Sequence, residues 1–235
     1  MTRKLLATFA FLLTMAYANA ATIHVKPTMT LIPPGQSAAV ITLTNQGDTP
    51  LNAQVRLFGW DQVRGEDALS PTNRLVASPP MLTLAPRQTQ SIRLVRTEKT
   101  LATQVEAYRV LVDEVLDNSQ PRPTGVTLQM RYSLPVFVIP REKLKPAQVT
   151  VTASADGNLV KLGAVNRGET HAQATDVSVE YRGGGTSPVV PGLLGYVLPG
   201  KSVEWKLPLP ADAAAKGRPT RVKMLINGRE MLVDL

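Results

Sequence analysis

With 235 residues the chain can hold one large or two small domains, and its 43% hydrophobic and 19% charged content is that of an ordinary globular protein, not a disordered or polytopic membrane one. It carries 26 Lys and Arg against 18 Asp and Glu, a formal net charge of +8, with the basic residues scattered rather than gathered into a tail or a helix face. The absence of cysteine excludes a disulfide framework and thiolate chemistry, and only two histidines, His24 and His171, leave little material for zinc or triad sites.

The first twenty residues read as an export signal: Arg3-Lys4, an apolar stretch from Leu5 to about Met15, then Ala18-Asn19-Ala20 in the A-x-A pattern. That stretch is shorter than the ~20 residues a bilayer span needs, and no second hydrophobic span follows, so an exported protein without stable membrane insertion is expected. Beyond it, short runs rich in Val, Thr, Leu and Ile alternate with Pro, Gly, Asn and Asp clusters, the rhythm of antiparallel β structure. Strands are predicted over residues 38–44, 51–58, 81–84, 90–95, 106–115 and 126–139, with Asn45 to Pro50 turning the first hairpin.

A proline-bounded polar stretch, Pro140 to Pro146, reads as a stiff linker, which divides the chain into domains at residues 21–140 and 146–235 joined by residues 141–145. The second half repeats the pattern, with strands predicted over residues 148–153, 159–166, 174–181, 195–198, 203–207, 221–226 and 230–235, and a short helix near residues 211–216. The fold class expected is all-β, one sandwich per half.

No catalytic set assembles from these residues. His24 lies near the predicted mature N-terminus, and His171 sits in the polar turn Arg167-Gly168-Glu169-Thr170, where solvated decoration is the expected role. The pairs Glu66-Asp67, read as lying on a loop, and Asp113-Glu114, on a strand, occur once each and do not identify a glycosidase. Gly183-Gly184-Gly185 reads as a flexible loop rather than a phosphate cradle, and there is no HExxH or GxxxxGK[ST] motif. The nine Phe and Tyr are nowhere interleaved with Arg or Lys as a nucleic-acid platform would require. Neither a metal, a cofactor nor a nucleic acid is expected.

The most informative segment is Val126-Thr127-Leu128-Gln129-Met130-Arg131-Tyr132-Ser133-Leu134, in which five alternate positions are apolar and the intervening ones polar. This is the pattern of a half-buried sandwich strand. The polar, proline-containing segment of residues 117–125 that precedes it also allows the strand edge to stay open.

Several motifs in order resemble a known family. Lys26-Pro27-Thr28 and Pro34-Gly35-Gln36-Ser37 look like its first strand, and Leu43-Thr44-Asn45-Gln46-Gly47-Asp48 like its second. The run from Ser78-Pro79-Pro80 to Gln90-Ser91-Ile92-Arg93 resembles its SPP and QxIR segment, and Tyr108 to Glu114 the strand before its exposed loop. Together they are similar to the periplasmic pilus-assembly chaperones of the chaperone-usher pathway, particularly the archaic branch.

The resemblance implies two immunoglobulin-like sandwiches in an L, residence in the periplasm, no enzymatic activity, and pilus subunits and an outer-membrane usher as partners. It implies that a strand of the first domain is lent to an incomplete pilus subunit, with Val126, Leu128 and Met130 as donors and Tyr132 at the margin. It further implies a basic pair that captures the subunit's C-terminal carboxylate. The family's positions for that pair read Met29 or Thr30 and a site near Pro135 here, so Arg109, then Lys26 and Arg131, are the candidate anchors. Arg93 and Glu114 match the first-domain members of an interdomain salt-bridge network, whose second-domain aspartate is missing near Ile226-Asn227-Gly228. The alternative is a secreted structural immunoglobulin-like protein, such as a pilin or adhesin module.

Overall fold

The computed structural model describes residues 23–116 and 129–235, so the expected leader, Val126 and Leu128 lie outside the described residues. The chain forms β1 (Ile23–Lys26), β2 (Thr30–Ile32), β3 (Ala38–Asn45), β4 (Leu51–Val63), β5 (Glu66–Pro71), β6 (Leu75–Ser78), β7 (Met81–Leu84), β8 (Thr89–Arg96), β9 (Glu106–Val115) and β10 (Arg131–Val138). These build a sheet ordered β1-β3-β8-β6 and a second ordered β2-β10-β9-β4-β5, with β7 also on β4. The remaining strands are β11 (Val149–Asp156), β12 (Leu159–Asn166), β13 (Ala172–Tyr181), β14 (Thr186–Val197), β15 (Ser202–Pro208), β16 (Pro219–Ile226) and β17 (Arg229–Asp234), with a single 3-10 turn at Ala213–Lys216. They build sheets ordered β11-β12-β15 and β14-β13-β16-β17. Among the described residues no helix is long and apolar enough to cross a membrane.

Each pair of sheets closes over its own core. In the first sandwich Ile41 and Leu43 of β3, Ile92 and Leu94 of β8, Val110 and Val112 of β9, and Val136 of β10 are buried. In the second, Val160 and Leu162, Val177 and Val179, and Val222 and Met224 do the same work from three strands. Period-2 alternation fixes these sets, because shifting a strand by one residue would turn every one of them to the opposite face.

The two sandwiches share a turn that repeats in sequence, Asn45-Gln46-Gly47-Asp48-Thr49 after β3 and Asn166-Arg167-Gly168-Glu169-Thr170 after β12. Each asparagine is buried and its Nδ2 donates 2.8 Å to the carbonyl four residues on, Thr49 or Thr170, while its Oδ1 accepts 2.9 Å from the glycine N–H two residues on. Each Nδ2 also reaches across the sandwich, to the Leu84 carbonyl in one and the Val197 carbonyl in the other. A Cβ at Gly168 would collide with the Pro146 carbonyl oxygen, so this turn also fits the chain closely against the linker.

Turn chemistry shapes two stretches whose strands were not foreseen in full, the β4–β5 hairpin and β14. Arg64 and Gly65 both take positive φ, 55° and 86°, in a two-residue loop that continues β4 to Val63 and starts β5 at Glu66. Glu66-Asp67 therefore lies on a strand, not the loop the sequence suggested. In β14, Pro188, Pro191 and Gly192 mask the strand pattern. The structure absorbs them as register shifts against β13, with Asp176 Oδ1 accepting from Gly192 N at 2.9 Å. Pro135 causes no such bulge: β10 pairs with β9 in unbroken register through Pro135↔Arg109.

Replacing Asn166 with Ala leaves buried backbone groups without partners and is expected to destabilise the second sandwich by about 3 kcal/mol, read from denaturant unfolding. A loss under about 1 kcal/mol would show that the turn holds without its side chain.

Candidate functional site

The sheet ordered β2-β10-β9-β4-β5 changes what its outer face meets along its length. In β4, Leu51, Ala53 and Val55 point into the sandwich core, whereas Trp60 and Gln62, of opposite parity, are buried on the other face. Phe137 of β10 is likewise buried on the face opposite Val136 and Val138. The second sandwich covers them: Trp60, Phe137, Tyr196 and Leu198 form one apolar cluster, with Trp60 edge-on to Tyr196 at 5.7 Å.

Gln62 ties this contact with main-chain hydrogen bonds. Its Nε2 donates 2.8 Å to the Tyr196 carbonyl and its Oε1 accepts 2.9 Å from Leu198 N. Around it Lys201 pairs with Asp61 at 2.7 Å, and Glu204 N donates 3.0 Å to the Gly65 carbonyl. His171 belongs here too, which corrects its expected role as solvated decoration. Its ring stacks on Phe137 at 3.7 Å and 3°, and its Nδ1 is buried without a partner. Burial alone lowers its pKa from the usual 6.5 to about 4.

Arg109 is the candidate anchor that lies at this junction. Its side chain is 13% exposed, with the guanidinium 3.7 Å over the Trp60 ring and 5.7 Å from the Tyr196 ring. Nη2 donates 3.1 Å to Asp67 Oδ2. The side chain thus leaves β9 across β4 towards β5, away from β10. Arg131 shares the same outer face about 13 Å further along β10. It is exposed and paired with Asp113, which also takes Arg56 at 2.6 Å. Burial would raise the Asp113 carboxyl, but the hydrogen bonds from Arg131 and Arg56 outweigh it and hold the group below the usual carboxylate range. Lys26 lies exposed at the end of β1 in the other sheet and does not join Arg109.

Among the described residues Arg93 and Glu114 make no hydrogen bond or ion pair with each other or with the second sandwich. Arg93 is exposed on β8, because alternation with Ile92 and Leu94 turns it outward, and it makes no ion pair among the described residues. The inward arginine of that strand is Arg96, whose side chain is 6% exposed and pairs with Glu106 at 2.8 Å and Glu98 at 3.0 Å. Glu114 sits at the far end of β9 from Arg109, where its Oε2 accepts from Met130 N at 3.4 Å. Burial raises its pKa and that backbone contact partly offsets the rise.

The start of β10 is open on one side. β9 pairs with all of Arg131–Val138, but β2 covers only Val136–Val138, so the outer edge of residues 131–135 has no strand neighbour among the described residues. Proline costs least at such an edge, where no N–H is needed. Tyr132 and Leu134 pack partly against the core, and Met130, on the same parity, is 42% exposed.

A family model described as the N-terminal domain of pili and flagellar-assembly chaperones matches residues 22–144. No curated protein sequence matches the chain. Among solved structures, a chain of the CsuC–CsuE chaperone–tip adhesion subunit pre-assembly complex from archaic Csu pili of Acinetobacter baumannii is 20% identical with a TM-score of 0.65, covering 91% of this chain and 98% of that one. A chain of the Salmonella enterica SafA pilin–SafB chaperone complex is 17% identical with a TM-score of 0.60, covering 92% and 97%. The Pseudomonas aeruginosa CupB2 chaperone is 16% identical with a TM-score of 0.54, covering 90% and 98%. At these identities the likeness is one of fold: two immunoglobulin-like β-sandwich domains.

Because His171 is depressed in the folded protein, the unfolded chain takes up its proton first, and stability is expected to fall as pH drops from about 6.5 to about 4. His171→Phe keeps a ring against Phe137 but cannot titrate, and should flatten that part of the stability profile; an unchanged slope would place its origin elsewhere.

Proposed function

The chain belongs to the pili and flagellar-assembly chaperone family, and from that premise we propose that it folds and caps pilus subunits in the periplasm by lending them a strand, then yields them to an outer-membrane usher. It is a chaperone, not an enzyme. The two sandwiches act as the domains of residues 21–140 and 146–235, joined by the proline-bounded linker.

The open outer edge of residues 131–135, continued by exposed Met130, is the observation that carries this reading. An incomplete sandwich exposes both an unpaired strand edge and an apolar groove. A donated strand answers both at once, main-chain N–H and C=O groups completing the ladder while alternate side chains fill the groove. Val126 and Leu128, outside the described residues, extend the Met130 and Tyr132 stripe by two further apolar positions. Burying each such side chain contributes roughly 1.5 to 3 kcal/mol, enough for a few to hold a subunit without nucleotide hydrolysis. Release then requires a competing strand, which the next subunit supplies at the usher.

Register on the strand is set by capture of the subunit's C-terminal carboxylate. Arg109 is the favoured anchor because it is the candidate that lies where the two sandwiches meet, and a charge-assisted bond in a desolvated setting is stronger than one at the surface. Arg131 and Lys26 are exposed and carry less weight.

Co-expression with a pilus subunit is expected to yield a soluble one-to-one complex; subunit recovered only in aggregates would contradict the chaperone reading. Leu128→Asp with Met130→Asp should weaken that complex more than about 100-fold while both sandwiches stay folded, since two buried apolar contacts become buried charges. Full binding by the double variant would exclude this donor strand.

A further inference from the structure

Arg109 is nearly enclosed yet keeps one hydrogen bond among the described residues, to a carboxylate of its own chain. A guanidinium taken out of water needs a counter-charge, because removing the partner of a buried charge leaves its desolvation uncompensated. Burial on its own makes the Arg109 cation less favourable, and Asp67 is the group that opposes this most directly. The two partners are unequal. Asp67 is 45% exposed, on the edge strand β5, and so rehydrates readily if released, whereas Arg109 at 13% does not. Asp67 is also pre-aimed: its Oδ1 accepts 2.9 Å from Gln62 Nε2, whose other bonds are to the main chain of the second sandwich. Beside the pair opens a cavity of about 330 Å³ lined in part by Gln62, Asp67, Arg109, Leu194, Tyr196 and Trp205, room for a second carboxylate at the same guanidinium.

We propose that Asp67 is a place-holder carboxylate: it occupies Arg109 in the free protein and is exchanged for the terminal carboxylate of a bound chain. This rests on the reading of Arg109 as the anchor. Exchange of one carboxylate for another keeps the buried cation paired throughout, so the free protein needs no empty charged site and capture needs no new desolvation of Arg109. It also makes selection stringent. A neutral chain end cannot displace Asp67, since nothing would then balance the guanidinium, while a free carboxylate competes on equal terms.

The test is a titration of the full-length protein, with the Arg109 side-chain Nε–H resonance followed by NMR, using N-acetyl-dialanine as free acid and as its C-terminal amide. Asp67→Asn removes the charge but retains the oxygen that accepts from Gln62; it leaves the Arg109 guanidinium without its counter-charge, so a loss of stability is expected, and the amide spectrum of the free variant must show both sandwiches folded before the titration is read. The substitution is expected to tighten free-acid binding about 3- to 10-fold and leave amide binding unchanged, widening the ratio between the two probes. If Asp67→Asn leaves that ratio unchanged or narrows it while Arg109→Ala abolishes acid preference, Arg109 is the anchor and the exchange proposal is overturned. Should Arg109→Ala keep the acid preference, followed then by backbone amide shifts around Tyr196, the anchor reading itself falls and the exchange with it.

Discussion

One sheet carries three obligations, and the rest of the structure is arranged around that. The sheet ordered β2-β10-β9-β4-β5 must bury one face in its own sandwich, seat the second sandwich on one end of the other face, and leave part of an edge uncovered. Strand geometry makes this possible because successive side chains point to opposite faces. Val136 and Val138 therefore serve the core while Phe137, between them, serves the junction. The uncovered edge follows from length: three residues of β2 cannot cover eight of β10.

The junction is held by apolar contact and main-chain hydrogen bonds, with the Lys201–Asp61 ion pair at its more exposed margin. An exposed salt bridge contributes little and is screened, whereas the Trp60, Phe137 and Tyr196 rings exclude water from the Gln62 amide and its partners. In that dry setting a single arginine needs its own counter-ion, which is why Arg109 and Asp67 occur together. The Arg56, Asp113 and Arg131 group lies further along the same face with two of its members far more open to water, so the same chemistry carries less energy there.

Much of the architecture was legible residue by residue. The bounds of β7, β9 and β12 coincide with the apolar runs read from the chain, because those strands are long alternations or short runs ended by turn residues on both sides. Strand β5 was missed because Glu66, Asp67 and Ser70 carry no apolar stripe; its signal was the Arg64-Gly65 turn, and an unbroken β4 beyond Phe58 would have pointed to it. The repeated Asn-x-Gly-acid-Thr turn was available in sequence and marks the equivalent corner of both sandwiches.

Local alternation and turn chemistry were enough to mark an all-β chain in two halves, the faces of its strands and the apolar stripe that runs through Met130 and Tyr132 to Leu134. Nothing local foretold that His171 is stacked in a junction rather than solvated, that Gln62 is buried, or that Arg109 reaches across to Asp67. Those outcomes depend on what a second sandwich brings against an outer face, and residues separated by 134 positions, as Gln62 and Tyr196 are, leave no periodic trace of meeting.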